Sequence, residues 1–164
     1  MCSYYRRFVP KFAVIAEPLS HLTRKDSPFV WGKEQVQAFE TLKSALINYP
    51  VLAHYDPLLP LELRTDASLT GLGIVVVQKH PEGDRVVAYA SRTLLPPETR
   101  YSVPELECLA AVWAVTRFRP YVYGRHFKII SDHACLHWLK RVVSPNMRLA
   151  RWMLTLQGFD FTIE

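Results

Sequence analysis

The sequence predicts an α/β domain preceded by a small helical segment, and three patterns lead to that prediction. Residues 61–77 alternate apolar and polar side chains, turn sharply and continue as an apolar run, which is typical of two strands. Residues 102–118 carry the signals of a helix, and residues 127–133 contain a buried strand that ends in an acid. Strands separated by a helix are usually parallel neighbours, so we expect the first and last of these strands to end at the same edge of one sheet.

Composition excludes several classes of protein. With 164 residues, of which 49% are hydrophobic and 21% charged, the chain has room for one globular domain and a smaller piece. No apolar run has the length of a membrane-spanning helix, and the first residues lack the apolar core of a signal peptide, so we expect an intracellular protein without a membrane partner. Cys2, Cys108 and Cys135 are widely spaced and odd in number, which fits neither a disulfide framework nor a zinc cluster. The formal charge of +5 permits a polyanionic partner without requiring one.

Residues 1–50 predict helices. Apolar residues recur there at spacings of three and four, and Pro10, Pro18 and Pro28 are expected to cut the segment into short pieces. A longer helix is predicted over residues 34–47. Its buried stripe is predicted to comprise Val36, Phe39, Leu42 and Leu46.

A proline-rich stretch separates this segment from the rest of the chain. Pro50, Pro57 and Pro60 punctuate it, and such composition is typical of a boundary between units. We therefore predict a helical unit over residues 1–50, a linker over 51–60 and a sheet domain over 61–164.

Three basic residues near the amino terminus are candidates for contacts with nucleic acid. Arg6, Arg7 and Lys11 are interleaved with aromatic residues, a pattern in which cations hold phosphates while rings stack or pack. An amphipathic helix with buried rings and solvated cations explains the same pattern at least as well.

Asp66 stands at the tip of the first predicted strand. Small residues follow it, including Ser68 and Gly71, so that an ion or a phosphate has room to approach the carboxylate. The alternative is that Asp66 only caps the turn, as aspartate often does. Ser68 is a further candidate for contact with nucleic acid.

A hairpin and a capped helix are predicted next. Residues 72–78 and 85–94 form two strands joined by a turn that contains proline and glycine. Ser102 and Glu105 then form a capping box, which marks the start of a helix.

The two glutamates of this helix are predicted to have different roles. Glu105 has a local structural role in the capping box, whereas Glu107 has none. Glu107 shares its helix face with Ala110, Ala111 and Ala114, whose small side chains let the helix lie close to a sheet. A carboxylate on that face is costly unless it is paired or holds a metal. The alternative is a position at a solvated rim.

Asp132 ends the strand after this helix and repeats the arrangement at Asp66. Both acids are therefore expected at the carboxyl edge of the sheet, where sites in open α/β sheets form. Two helices are then predicted, over residues 135–141 and 147–156, followed by a last strand over 159–163. The buried stripe of the second helix is predicted to comprise Leu149, Trp152, Met153 and Leu156.

Three carboxylates at the ends of adjacent elements repel one another unless a cation lies between them. Oxygen ligands of this kind suit Mg²⁺, with Mn²⁺ as the alternative. Two such ions roughly 3.5–4 Å apart are the standard arrangement for in-line attack on a phosphodiester. We therefore expect Asp66, Glu107 and Asp132 to be catalytic residues and metal ligands, with Asp66 as the bridge. His133 is expected to lie in a loop or to support a ligand rather than to bind the metal.

Several motifs stand in a fixed order along the chain. They are Thr65-Asp66-Ala67-Ser68, Tyr101-Ser102 with Glu105-Leu106-Glu107-Cys108-Leu109-Ala110, Ser131-Asp132-His133, and Arg151-Trp152 with Phe159-Asp160-Phe161. Together they resemble the ribonuclease H domain of gypsy-like long-terminal-repeat retrotransposon reverse transcriptases. The helical unit, with Tyr4-Tyr5-Arg6-Arg7-Phe8-Val9-Pro10, Pro18-Leu19 and Phe39-Glu40-Thr41-Leu42-Lys43, is similar to the polymerase thumb that precedes that domain.

This resemblance implies a ribonuclease H fold, a mixed five-stranded sheet flanked by helices, which cuts the RNA strand of RNA/DNA hybrids with magnesium. It implies that Asp66, Glu107 and Asp132 hold the metals. It also implies polymerase fingers and palm upstream in the same polyprotein, and a fourth metal-binding aspartate on a helix beyond Glu164. We therefore expect an excerpt of a longer polyprotein or a decayed copy, located in the cytoplasm, a virus-like particle or the nucleus.

Two other functions are alternatives to hybrid cleavage. A non-catalytic scaffold that only grips a hybrid or partner subunits is the main alternative. An integrase-like core fits poorly, because its acids run Asp, Asp, Glu, whereas here the order is Asp, Glu, Asp.

Overall fold

The computed structural model describes residues 6, 9–25, 27–47, 52–131 and 147–164. Its centre is a five-stranded sheet. The strands are β1 (Leu61–Ala67), β2 (Gly71–His80), β3 (Gly83–Thr93), β4 (Phe127–Ile130) and β5 (Phe161–Ile163). Their order across the sheet is β3-β2-β1-β4-β5.

The sheet is mixed, because β1 is antiparallel to β2 but parallel to β4. The β2–β3 hairpin is antiparallel and the β4–β5 pair is parallel. The predicted hairpin and the predicted parallel pairing of β1 with the strand after the helix are both confirmed.

Helices flank this sheet. They are α1 (Phe12–His21), α2 (Lys33–Ile47), α3 (Val103–Arg117), the short α4 (Arg119–Val122) and α5 (Met147–Gln157). The predicted stripe of α5 is confirmed, with Met153 half-buried and the other three members buried. Within the described part of the chain, no helix has both the length and the hydrophobicity to cross a membrane.

The core of the sheet domain forms between β1, β2 and α3. Leu63, Val76 and Ile129 are fully buried in the sheet, and Ala110, Ala111 and Ala114 are fully buried on α3. Because these alanines carry only a methyl group, α3 lies close to the strands, as predicted from the same residues.

The predicted effect of Pro18 is wrong. Pro18 lies inside α1, which continues from Phe12 to His21. Proline removes one backbone donor and usually kinks or breaks a helix. Here α1 is uninterrupted. Phe12 and Ala16 pack against Leu42 of α2, and these tertiary contacts offset the free-energy cost of proline inside the helix.

The predicted stripe of α2 is wrong at two positions. Val36 is 48% exposed and Phe39 is 49% exposed, whereas Ala38 and Leu42 are buried and Ala45 packs beside them. Positions three apart drift steadily around a helix, so 36, 39 and 42 do not form one face, while 38, 42 and 45 do. The side chain of Leu46 lies outside the described residues.

Residues 52–60, predicted as a linker, are bonded to the sheet domain. The fully buried side chain of Gln78 accepts the N–H of Asp56 at 2.9 Å and donates to the carbonyl of Asp56 at 2.6 Å. Tyr55 donates to the carbonyl of Tyr121 at 3.0 Å, and Arg125 donates to the Tyr55 hydroxyl at 2.7 Å. The division of the chain into units stays a prediction, but this stretch lies against the sheet.

Candidate active site

Asp66 occupies the end of β1, next to the last residue of the strand. The side chains of Leu61, Leu63 and Thr65 are buried, whereas the carboxylate of Asp66 is exposed. Its partner across the β1–β2 pair is Gly73, which has no side chain to cover it. Asp66 therefore presents a carboxylate at an uncrowded position.

Ser68, rather than Asp66, holds the turn that follows β1. The Ser68 hydroxyl accepts the backbone N–H of Gly71 at 3.0 Å and donates to the carbonyl of Gly71 at 3.1 Å. The N–H of Ser68 also donates to that carbonyl at 2.9 Å. Among the described residues, no hydrogen bond to the Asp66 carboxylate is found, so the turn leaves this acid available for other partners.

Gly71 is required at the start of β2 by a close approach between strands. A Cβ atom added there would lie 2.8 Å from the backbone oxygen of Arg92 on β3. A Cβ added at Gly73 would lie 3.8 Å from its nearest neighbour, the backbone oxygen of Asp66. The first distance is a clash with backbone, and the second is an ordinary contact.

We expect Gly71→Ala to lower the free energy of unfolding by about 1–3 kcal/mol, because the strands must move apart to relieve the clash. Gly73→Ala is the matched control, with an expected change of about 0.5 kcal/mol or less. Urea unfolding at constant m-value measures both. Equal losses in the two variants would contradict the close approach at Gly71.

Glu107 is buried on α3, with only 4% of its surface exposed. The capping box of Ser102 and Glu105 fixes the start of this helix and is confirmed. Glu107 lies two residues further on, and its Oε2 accepts a hydrogen bond from the Ser131 hydroxyl at 3.3 Å. Ser131 directly follows β4, so Glu107 faces the carboxyl end of that strand. The predicted alternative of a solvated rim is inconsistent with this burial.

Glu105 lies on a different side of α3. Its Oε2 accepts the N–H and the hydroxyl of Ser102, both at 2.9 Å, and its Oε1 pairs with Arg148 of α5. Arg148 also lies over the ring of Tyr101, 4.0 Å from its centroid. These contacts tie α5 to the start of α3, so Glu105 has the structural role that the sequence predicted.

Asp132 lies outside the described residues, as do Arg7, His133 and the helix predicted over 135–141. The pairing of β1 with β4 is described up to Arg64 and Ile130. Asp66 and Asp132 each follow these partners by two positions in the sequence. The prediction that Asp132 joins the other acids stays a prediction. Among the described residues no cluster of three metal-binding side chains is found.

A cleft of about 270 Å³ lies above Asp66. It brings together two predicted nucleic-acid contacts, Lys11 and Ser68, with the predicted catalytic acid. The other lining residues come from α1, the turn, β2 and β3: Val14, Thr70, Gly71, Leu72, Gly73 and Ser91. Arg6 is not among them; its guanidinium lies 5.6 Å from the centroid of the Phe12 ring.

Two serines at this site, Ser131 and Ser91, were not predicted from the sequence. Ser131 was noted only as part of a motif, and Ser91 was not noted at all. Ser131 follows directly on a predicted strand and precedes an acid, so its position was a usable signal. Ser91 lies within an ordinary strand pattern, and no local signal distinguishes it.

Comparison with known proteins gives consistent results. The model of the RNase H-like domain found in reverse transcriptase matches residues 56–159. The chain is 40% identical over 163 residues to the retrovirus-related Pol polyprotein from transposon 412 of Drosophila melanogaster, covering 99% of this chain and 13% of that protein. It is 37% identical over 169 residues to the Tf2-3 polyprotein of Schizosaccharomyces pombe, covering 99% of this chain and 12% of that one. The chain thus spans about an eighth of the length of these relatives.

Solved structures share the fold. The foamy viral protease-reverse transcriptase in complex with dsDNA superposes with a TM-score of 0.82 at 24% identity, over 99% of this chain and 35% of that one. The same viral protein in complex with an RNA/DNA hybrid superposes with a TM-score of 0.79 at 23% identity, over 99% of this chain and 23% of that one. The mixed five-stranded sheet and its flanking helices therefore form the fold found in these viral enzymes.

Proposed function

The chain belongs to the family of RNase H-like domains found in reverse transcriptases, and we propose that it hydrolyses the RNA strand of RNA/DNA hybrids as part of a longer Pol polyprotein. One observation carries this proposal. The exposed carboxylate of Asp66 lies near the carboxyl end of β1, and the buried carboxylate of Glu107 faces the end of β4, the parallel neighbour of β1. Carboxylates so placed on adjacent elements suit the cleavage of phosphodiesters.

The donor atoms fit a hard divalent cation. Asp66 and Glu107 offer only carboxylate oxygens, the ligands that Mg²⁺ and Mn²⁺ prefer. We propose that these two residues and Asp132 hold the metal. When bound, such ions activate a water molecule and stabilise the leaving oxygen.

The residues of the chain would contribute in different ways. The hydroxyl of Ser131 donates to Glu107 and orients that carboxylate. Asp66 is solvent-accessible, so a phosphate can approach it from the cleft. Because Glu107 is removed from water, its charge acts at a lower effective dielectric than that of an exposed acid. The two acids can therefore have different roles: buried Glu107 would hold the metal in place, and exposed Asp66 would face the substrate.

The proposed substrate is an RNA/DNA hybrid, and the proposed partner is the upstream polymerase fingers and palm. One of the similar viral structures contains an RNA/DNA hybrid. In this chain Lys11 and Ser68 line the cleft with Asp66, and Arg6 and Arg7 lie close to Lys11 in sequence. Contacts to ribose 2′-hydroxyls on one strand would distinguish a hybrid from DNA.

Cleavage of end-labelled duplexes tests the proposal. We expect the chain with Mg²⁺ to cut the RNA strand of a hybrid, but not RNA/RNA or DNA/DNA duplexes of the same sequence. Chelation of the metal should abolish cutting. Binding of the hybrid without any cutting at high protein concentration would instead support the non-catalytic scaffold.

A further inference from the structure

The start of α1 is capped by a residue of the sheet. The first backbone N–H groups of a helix lack partners within the helix, and a local side chain usually supplies one. Lys11, at the cap position of α1, forms no such bond. Instead the N–H of Ala13 donates to the hydroxyl of Ser91 on β3 at 2.8 Å, across 78 residues of sequence. Ser91 thus joins the helical unit to the sheet domain.

Lys11 adopts a backbone conformation that is unfavourable for lysine. Its φ of 51° and ψ of 28° lie in the left-handed region, and no other described residue except glycine has a positive φ. A Cβ atom makes this region unfavourable, so such a residue persists only where its surroundings hold it. Strained residues of this kind often lie at functional sites.

Lys11 lines the cleft that contains Asp66. Among the described residues no acid lies within ion-pairing distance of its ammonium group. In the adjoining cleft, which shares Val14 and Thr70, the guanidinium of Arg24 pairs with Glu17 at 3.2 Å. Among the described residues that line the cleft with Asp66, Lys11 is the one cation. A phosphate that approaches Asp66 is repelled by its carboxylate, and a cation there offsets that repulsion.

We propose that the helical unit completes the active site: Ser91 anchors the start of α1, and Lys11 thereby contacts a backbone phosphate of the bound strand. This inference rests on the proposed function. It assigns Lys11 as a substrate-binding residue and Ser91 as a positioning residue. Lys11 lies outside residues 56–159, so the matched domain alone lacks this contact.

Substitutions of Lys11 in the whole chain test the contact. Asparagine tolerates the left-handed region, so Lys11→Asn removes the charge without adding strain. We expect Lys11→Asn to weaken hybrid binding about tenfold, as loss of a charged hydrogen bond does, and to raise KM with little change in kcat. The slope of log affinity against log salt should fall in magnitude by about one, because one phosphate contact is lost. Lys11→Arg should restore most of the binding.

A matched control separates a specific contact from a change in net charge. Lys43 lies on α2, is exposed, and pairs only with Glu40 on its own helix among the described residues. Lys43→Gln removes one charge from the same unit and should leave the affinity within about twofold of the unmodified chain and the salt slope unchanged.

A double-mutant cycle tests Ser91. If Ser91 acts through Lys11, Ser91→Ala should weaken binding in the unmodified chain but have no further effect in the Lys11→Asn background. Fluorescence anisotropy with a labelled hybrid and no divalent metal measures binding apart from cleavage. Unchanged affinity and salt slope in Lys11→Asn would overturn the contact, and additive effects of the two substitutions would overturn the positioning role. If the unmodified chain binds the hybrid without cutting it, the proposed nuclease activity is wrong. The hybrid affinities of the variants would still test the contact made by Lys11.

Discussion

Asp66→Asn is expected to reduce cleavage of the RNA strand by at least about 100-fold. Residues that merely support a metal ligand typically contribute 10–100-fold to affinity or activity, so loss of a ligand should reach the upper end of that range. Asparagine keeps the shape of the side chain but removes the charge that binds a divalent cation. Because Asp66 is exposed and does not hold the turn, the free energy of unfolding should stay nearly constant. Initial rates on a labelled hybrid at saturating Mg²⁺ measure the effect.

Asp160→Asn is the matched control for this substitution. Asp160 is also exposed, pairs with His126 at 3.0 Å, and accepts the N–H of Phe127 through its backbone at the start of β4. It therefore lies at the amino end of β4, whereas Glu107 and Ser131 lie at the carboxyl end. Cleavage should stay within about twofold in this variant. An equal loss in both variants would show that Asp66 acts through general charge rather than at a site.

Glu107→Gln is expected to reduce cleavage and leave the fold intact, whereas Glu105→Ala is expected to destabilise the fold and leave cleavage intact. Glu107→Gln keeps the size of the buried side chain and can still accept the Ser131 hydroxyl, so the fold should persist while cleavage falls at least about 100-fold. Glu105→Ala removes the capping box and the partner of Arg148, so the free energy of unfolding should fall by about 1–2 kcal/mol. Cleavage should stay within about twofold, once the protein is folded.

The effect of Glu105→Ala should also depend on pH. Burial raises the pKa of Glu105, but the hydrogen bonds from Ser102 and the charge of Arg148 outweigh this, so that the pKa lies below its ordinary value. A lowered pKa in the folded state stabilises the fold above the unfolded-state pKa, and this contribution is lost as the pH falls through the folded-state pKa. The stability difference between the unmodified chain and Glu105→Ala should therefore shrink in acid. Chemical unfolding at several pH values measures it, and a difference that grows in acid would contradict the assignment.

Local sequence signals predicted the elements that carry the acids. The capping box at Ser102 and Glu105, the alternation that ends at Asp66 and the alanines of α3 each depend on residues a few positions apart. Such patterns also predicted the hairpin, and the helix between the strands predicted the parallel pairing of β1 and β4. The burial of Glu107 followed from its alanine neighbours, because a helix that lies close to a sheet buries every residue on that face.

Contacts between distant parts of the chain could not be predicted from these local patterns. The bond between Ala13 and Ser91 joins residues that no periodicity relates, so the capping of α1 could not be foreseen. Pro18 was predicted to interrupt the helix because proline usually does so, whereas the packing of α1 on α2 holds the helix together. The exposure of Phe39 has a local origin instead: position 39 lies off the face of α2 that 38, 42 and 45 form, and its ring lies 6.4 Å from that of Trp31.

The buried amide of Gln78 ties the stretch before β1 to the sheet domain. Its oxygen accepts the N–H of Asp56 and its nitrogen donates to the carbonyl of Asp56. The Arg125 guanidinium donates to the carbonyl of Leu59. A recombinant fragment that starts at Leu61 would lose these hydrogen bonds, each of which contributes about 0.5–1.5 kcal/mol to the free energy of unfolding. We therefore expect a fragment that retains residues 52–60 to be more stable than one that starts at Leu61, because this stretch is bonded to the sheet domain.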